Sequence, residues 1–548
     1  MPNAIFSIDP PANEPVFEYR PGSDERGRIK NELQRLRNTE MEIPLIIGGK
    51  PVKTGNLGRC VIPHDHGHQL AVFHQAGEKE VSLAIEAAAS AAGEWAAMDW
   101  PDRLAIFSRA ADLIAGPRRM TLNAATMLGQ GKNIYQAEID AACEMIDFLR
   151  FNALYATQIY RQQPRSGRAE WNHLEYRPLE GFVFAVTPFN FTAIGGNLPS
   201  APAMLGNTVL WKPASSAVYA AWMLMETFVE AGLPPGVINF IPGSGAQVGN
   251  PVLTSPALAG IHFTGSTPVF QGMWKTVADN LSRYRTYPRI VGETGGKDFI
   301  FAHPSADPDA VVTALIRGAF EYQGQKCSAV SRAYLPQSRW THLKEKLTAA
   351  MGTIEVGSPE VFSTFVNAVI DRAAFDSITG YIDYARGHEA AEIIAGGSYD
   401  RASGYFIDPT VILTTDPHFK TMQEEIFGPV LTVYVYADED FEATLDLCDR
   451  TSPYALTGAI FARDRAAVTT ARRRLVNAAG NFYINDKPTG AVVGRQPFGG
   501  GRMSGTNDKA GSILNLYRWV SPRTIKENFL PATDYRYPFM AAEPGEMA

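Results

Sequence analysis

From Gly181 to Trp211 the chain carries no charged side chain. A run this long has to leave water, for either a bilayer or a protein core. A spanning helix needs about 20 mostly apolar residues. This run contains Pro188, Asn190, Pro199, Pro202 and Asn207, and irregular backbone is not tolerated against lipid. The run therefore reads as strand, loop, helix and strand inside a core. The pattern continues beyond it. FVFAV (182–186), TVLWK (208–212), VINFI (237–241), GIHFT (260–264) and RIVGE (289–293) read as strands, with a helix over 215–231. Strands alternating with helices predict a parallel sheet covered by its crossovers. Ligands of such sheets bind outside the carboxyl ends of the strands. Asn190, Lys212, Gly243, Gly265, Ser266 and Glu293 occupy those ends.

The remainder divides around this unit. The first 45 residues, Pro-rich and charged, read as a surface wrap. Residues 80–115 read as two helices broken at Trp100-Pro101, and 136–156 as another long helix. Residues 162–180 are charged, interrupted by Pro and Gly, and read as an extended arm or hairpin. A second α/β stretch runs from Lys297 to about Arg502, and YRWVSPRTI (517–525) reads as a strand in the tail. With 548 residues, two or three units are expected. Fifty Lys+Arg against 57 Asp+Glu argues against nucleic-acid binding, which needs clustered positive charge. Four cysteines make no disulfide framework and suit a reducing compartment. The N-terminal stretch has no apolar segment and carries Asp9, Glu14 and Glu18, unlike a secretory or transit leader. A cytoplasmic protein is expected, or one of the mitochondrial matrix if the source is eukaryotic.

Several residue types at these positions suit chemistry. Gly243-x-Gly245-x-x-x-Gly249 follows a strand and resembles a dinucleotide turn with its third glycine one residue late. A tight turn alone would also account for it. FTGS (263–266) is a second strand-to-helix turn, where a helix N-terminus favours an anion. Lys212 is either solvated or bound to ligand hydroxyls. Cys60, Cys143 and Cys448 read as small buried hydrophobes. Cys327 differs, because Gly324, Gln325, Lys326 and Ser328 surround it in a loop that favours thiolate. Glu293 is a carboxylate ending an apolar strand. It is either a general base with a raised pKa or the partner of Lys297. The HDHGH histidines, His64, His66 and His68, lack further ligands at zinc spacing, and no metal is expected. Glu424-Glu425 is either a surface turn or a carboxylate for a sugar diol.

Together these residues resemble the aldehyde dehydrogenase superfamily. PFNF (188–191), WKPA (211–214), FTGS (263–266), ETGGK (293–297), GQKCS (324–328), EEIFGP (424–429) and PFGG (497–500) stand in family order. Glu293 and Cys327 have the family's spacing, and the likeness covers roughly residues 40–530. Longer matches at 137–152, 320–329 and 485–511 resemble the branch that oxidises L-glutamate γ-semialdehyde, the open form of pyrroline carboxylate, in proline degradation.

The resemblance implies an α/β fold with three parts. A Rossmann-type parallel-sheet NAD-binding domain would hold 1–156 and 180–293, and an α/β catalytic domain 294–505. A small β oligomerisation arm would combine 157–179 with the tail 512–548, making a homodimer or larger assembly. It implies Cys327 as nucleophile, Glu293 as base and Asn190 as oxyanion donor. Lys212, Ser215, Gly245, Gly265, Ser266, Glu425 and Phe427 would bind the cofactor. Phe191, Lys326, Ser328, Gly490, Ala491 and Phe498 would bind the small-molecule substrate. Many NAD-selective members carry Glu where this chain has Ser215, so NADP is admitted beside NAD. A proline dehydrogenase barrel of about 250 residues finds no room here, so such a partner would dock as a separate protein. Two other readings remain open: a dehydrogenase for a different small acid semialdehyde, and a non-catalytic protein on the same fold.

Overall fold

The computed structural model describes residues 7–545. Five parallel strands run in spatial order Arg289–Glu293, Leu258–Thr264, Phe182–Val186, Thr208–Lys212 and Ile238–Phe240. Chain order reverses between Phe182–Val186 and Leu258–Thr264. Their carboxyl ends, leading to Asn190 on one side and Gly265-Ser266 on the other, border the crevice where such a sheet takes its ligand. Two short strands, Leu45–Ile47 and Lys50–Val52, extend this sheet in antiparallel fashion. The charge-free run is buried as the sequence demanded: Val183, Phe184, Leu210 and Trp211 are fully inaccessible. The helix between them, Thr192–Met204, tolerates Pro199 and Pro202 in its interior.

A second seven-stranded sheet has the order Ala391–Ala395, Thr410–Thr414, Val430–Tyr436, Val330–Pro336, Asp298–Ala302, Thr457–Phe461 and Asn481–Ile484. All are parallel except the first. Residues 293–298 join the two sheets. This places Glu293 at the end of the first and Cys327, just before Val330–Pro336, at the start of a strand of the second.

Several expectations need correction. Residues 7–45 are more than a wrap. Asp24–Arg37 is a helix capped by Ser23, and it buries Ile29, Leu33 and Leu36. Each such burial stabilises by about 1.5–3 kcal/mol. The dense charge of the other face hid a spacing of four and three residues. The arm is not a hairpin of its own: Glu170–Arg177 pairs antiparallel with Ser521–Asn528, over 300 residues away. The preceding helix reaches Tyr160, into the range read as arm. In the tail, Tyr517–Trp519 is a 3-10 turn, and the strand begins only at Ser521. The long helix near 136–156 spans Ile134–Tyr160 but carries a π-helical segment, Glu138–Cys143. The HDHGH histidines diverge, His64 to Glu360, His66 to the Arg401 carbonyl and His68 to the Arg37 carbonyl. Among the described residues no helix is long and apolar enough to cross a membrane.

Candidate active site

A cavity of about 890 Å³ opens at the carboxyl ends of the first sheet, walled also by the helix Glu144–Tyr160, the Cys327 loop and residues 487–498. Cys327, Ser328, Glu293, Phe191, Gly490, Ala491 and Phe498 all line it. Residues from 191 to 498 in the chain thus meet on one surface.

The backbone before Cys327 is unusual. Tyr322 and Gln323 have φ of 51° and 54°, in the left-handed region that non-glycine residues avoid. Two hydrogen bonds hold the turn: Gln323 Nε2 donates to the Gly131 carbonyl at 2.8 Å and to the Ala368 carbonyl at 2.9 Å. Gly324 follows at φ 66°, where a β-carbon would overlap the Gly428 carbonyl. Strain of this kind persists only where surroundings over-determine it. Here it presents a half-buried Cys327 to the cavity.

The glycine pair of ETGGK has a steric purpose. A β-carbon at Gly295 would collide with the Glu425 carboxylate, and one at Gly296 with the Cys327 carbonyl oxygen. Gly296→Ala is therefore expected to displace the nucleophile loop. An ångström of misplacement costs on the order of a hundredfold in rate. Steady-state kinetics should show that loss in kcat, with the melting temperature measured alongside.

Electrostatics departs from the expected thiolate setting. Burial, then the carboxyl groups of Glu293, Asp298 and Glu425, push the Cys327 thiol well above its ordinary range. Lys326 does not face the thiol. Its ammonium turns to Gln136 and lies 3.3 Å from Asp140. It is absent from the cavity wall. The cation that seemed to activate Cys327 is neutralised elsewhere, because neighbouring positions in a tight turn point in different directions.

Glu293 is pushed up to about 8, chiefly by burial, with Lys509 opposing and Asp508 adding. It forms no ion pair with Lys297, whose buried ammonium is lowered to about 7 by burial and by Arg332. Asn190 Nδ2 donates to the Gln325 carbonyl at 3.0 Å, which docks the amide beside the Cys327 loop. Of the glutamate pair, Glu424 turns to the Tyr381 hydroxyl at 2.7 Å. Glu425 turns inward and accepts from the Gly296 N–H at 2.9 Å; burial pushes it up to about 7. Phe427, at φ 58°, packs edge-on against Phe189.

The remaining predicted residues lie at the ends of the first sheet. Lys212 is buried, and its ammonium donates to the Pro213 carbonyl at 3.3 Å; burial lowers it to about 8. Ser215 is exposed at the start of a 3-10 turn. Gly245 opens the helix Gly245–Leu253, and a β-carbon there would enter open space. Gly265 and Ser266 precede the helix Thr267–Asp279, whose first N–H groups receive no bond from the Ser266 side chain. A buried cation beside a strand end and two helix N-termini suit a dinucleotide's hydroxyls and phosphates.

Sequence reasoning missed three groups here. Asp140, Glu144 and Asp147 sit on one face of the helical stretch and line the cavity. Asp140 bonds Lys132 at 2.6 Å. Burial opposes its ionised form, but Lys132 and Lys326 outweigh burial and hold the carboxyl below its ordinary value. Lys132 also lies 4.3 Å from the Phe191 ring. Glu144 is pushed well above the carboxylate range by burial and Asp140, and one of its oxygens has no partner. The available signal was acidic residues at helical spacing in an otherwise apolar stripe.

Comparison with known proteins identifies the family. A model of the aldehyde dehydrogenase family matches residues 53–525, and the chain belongs to that family. Among curated relatives, "Delta-1-pyrroline-5-carboxylate dehydrogenase, mitochondrial" of Dictyostelium discoideum is 55% identical, covering 98% of this chain and 97% of that protein. The human protein of the same name is 49% identical, covering 96% and 94%. Among solved structures, the delta-pyrroline-5-carboxylate dehydrogenase from Mycobacterium tuberculosis bound with NAD superposes with a TM-score of 0.95 at 54% identity, covering 98% of this chain and all of that one.

Proposed function

We propose that this chain oxidises L-glutamate γ-semialdehyde to L-glutamate with NAD. The observation that carries it is the single cavity holding Cys327 and Glu293 on one side and groups for an amino acid's charged end on the other. The relatives' names point to the same substrate.

The Cys327 sulfur, once deprotonated, attacks the aldehyde carbon. Of the two amide hydrogens of Asn190, one is held by Gln325. The other, with the Cys327 backbone N–H, stabilises the oxyanion without adding charge. Bound NAD supplies the hydride acceptor and a positive ring charge. Loss of hydride from the thiohemiacetal carbon leaves a thioester on Cys327. Glu293 takes a proton from water, which attacks the thioester and releases the acid and the thiol. Phe191 and Phe498 pack on the aliphatic chain. Ser328 and the N–H groups of Gly490 and Ala491 bind the α-carboxylate. Glu144, half-buried with one enclosed oxygen short of a partner, suits the α-ammonium, whose arrival restores its ionised form. Lys326 contributes by tying the nucleophile loop to Asp140.

Lys212, Gly245, Gly265, Ser266, Glu425 and Phe427 are assigned to the dinucleotide, Lys212 and Glu425 to its hydroxyls. With serine at 215, rejection of NADP is incomplete. The first sheet and its helices (1–156, 180–293) form the cofactor unit and 294–505 the catalytic unit. The strand pair Glu170–Arg177 and Ser521–Asn528 leaves Trp171, Phe529 and Leu530 exposed. An isolated pair of strands is marginal in water, so this arm packs on a second copy in a homodimer or larger assembly. A separate proline dehydrogenase is a fitting donor of substrate: a proline utilization A chain from Bdellovibrio bacteriovorus matches 97% of this chain over 54% of its own length. The compartment is the cytoplasm, or the mitochondrial matrix in a eukaryote.

The test is reduction of NAD and of NADP with pyrroline carboxylate, set against simple aliphatic aldehydes. A strong preference for pyrroline carboxylate is expected. Equal rates on propanal would overturn the substrate assignment, and no reduction with any aldehyde would favour a non-catalytic protein.

Ser328→Ala probes the carboxylate reading. A hydrogen bond to a charged group is worth about 1.5–3 kcal/mol. The variant should lose roughly ten- to a hundredfold in kcat/KM for the semialdehyde, mostly through KM. Propanal, without a carboxylate, should show little change. Equal losses on both would mean that Ser328 only shapes the loop.

A further inference from the structure

The loop assigned above to the α-carboxylate has little scaffold of its own. Residues 485–497 lie outside any strand or helix. The opposite wall, with Glu144 and Asp147, is a helix. A third segment, distant in sequence, joins these two walls. Asn13 Nδ2 donates to Asp147 Oδ2 at 2.8 Å and to the Val493 carbonyl at 2.8 Å. Its Oδ1 accepts from Arg495 Nε at 2.8 Å. All three bonds come from one amide, two of them to the loop and one to the helix.

The segment carrying Asn13 is itself firmly held. The Glu14 N–H donates to the other Asp147 oxygen at 2.8 Å. The Glu14 carboxylate bonds Arg119 at 2.6 Å and Arg150 at 2.7 Å. Downstream, the Phe17 N–H and the Tyr19 hydroxyl both donate to Glu138, at 2.9 and 2.8 Å. Tyr19 is 3% exposed, so the strap is anchored in the core. Asn13, Glu14, Pro15 and Val16 form part of the cavity wall. This strap is built to hold still, and what it holds is the gap between two walls.

We propose that Asn13 is a specificity-determining positioning residue: it locks the loop 490–496 at a fixed distance from the helix bearing Glu144, so that both charged groups of an α-amino acid are met at once. The proposal rests on the carboxylate and ammonium assignments above. An asparagine suits the place because the amide offers two donors to acceptors on different elements and an acceptor to a guanidinium. Aspartate would lose both donors and set a second carboxylate against Asp147.

The test compares wild type, Asn13→Ala and Arg495→Ala in the full-length chain with NAD. Substrates are pyrroline carboxylate and propanal, and amide hydrogen exchange is followed over 490–496. For Asn13→Ala, the KM for the semialdehyde is expected to rise about five- to thirtyfold, the scale of one or two lost hydrogen bonds. The kcat should stay within about twofold, kcat/KM for propanal should hold, and exchange in the loop should quicken. Arg495→Ala removes one of the three bonds and should move the same quantities less. It keeps the proposal testable if Asn13→Ala folds poorly. Unchanged KM and exchange in a variant, with wild-type preference for the semialdehyde intact, would overturn the latch alone. Equal losses on both substrates would reduce Asn13 to a general stabiliser. A wild type with no preference would instead remove the substrate reading on which the latch rests.

Discussion

Cys327→Ala is expected to abolish aldehyde oxidation while leaving the fold and NAD binding in place. The side chain is small, half-buried and open to the cavity, so its sulfur carries no packing that alanine would badly miss. The reaction has no route without it, because the thiohemiacetal places the hydride on a carbon that can release it. Activity should fall by at least about a thousandfold, the scale on which loss of a covalent nucleophile registers. NAD binding is followed by fluorescence or calorimetry and folding by thermal melting. Turnover near wild type would sink the nucleophile assignment. Because burial and three carboxyl groups raise the thiol's pKa, alkylation by iodoacetamide in the absence of NAD should be slow at pH 7. It should quicken as NAD brings positive charge into the site.

The second large effect concerns Glu293→Gln. If Glu293 serves only thioester hydrolysis, the first turnover survives and the second does not. Rapid mixing should then give a burst of about one reduced cofactor per site, followed by a steady rate lower by about two to four orders of magnitude. Loss of the burst as well would place Glu293 in deprotonating Cys327. The wild type carries a matching pH signature. Glu293 is held protonated up to about 8 by burial, and only the ionised carboxylate can take a proton from water. A hydrolysis-limited kcat should therefore climb as pH rises towards 8 and level off above it. An ordinary carboxylate would show no such rise in that range.

Parts of this site were legible in the sequence because local order encodes them. The strands around the charge-free run follow from burial on both faces, and their carboxyl ends pointed to Asn190, Lys212, Gly265 and Glu293 before any geometry. The glycine pair at 295–296 was visible as a motif. Its reason, contact with Glu425 and the Cys327 carbonyl, appears only once the chain comes back to the same place from two other directions.

What the sequence determined by itself is the alternation of buried strands and helices and which candidate groups stand at the strand ends, since side-chain chemistry and short-range spacing need no partner to be read. Tertiary structure alone decided which way each group faces and what it meets. Lys326 stands next to Cys327 in the chain, yet its charge is spent on Asp140, whose own carboxylate comes from a helix nearly two hundred residues earlier. Resemblance joins 157–179 to the tail, but which residues face each other, Ser521 against Arg177 and Asn528 against Glu170, appears only in the folded chain. Asn13 is an unremarkable polar residue in a Pro-rich strap until Asp147, Val493 and Arg495 converge on its amide. The physical reason is common to all three. Hydrogen bonds and ion pairs act over about three ångströms of space, so their partners are set by how the chain folds back, and separation along the sequence carries no record of it.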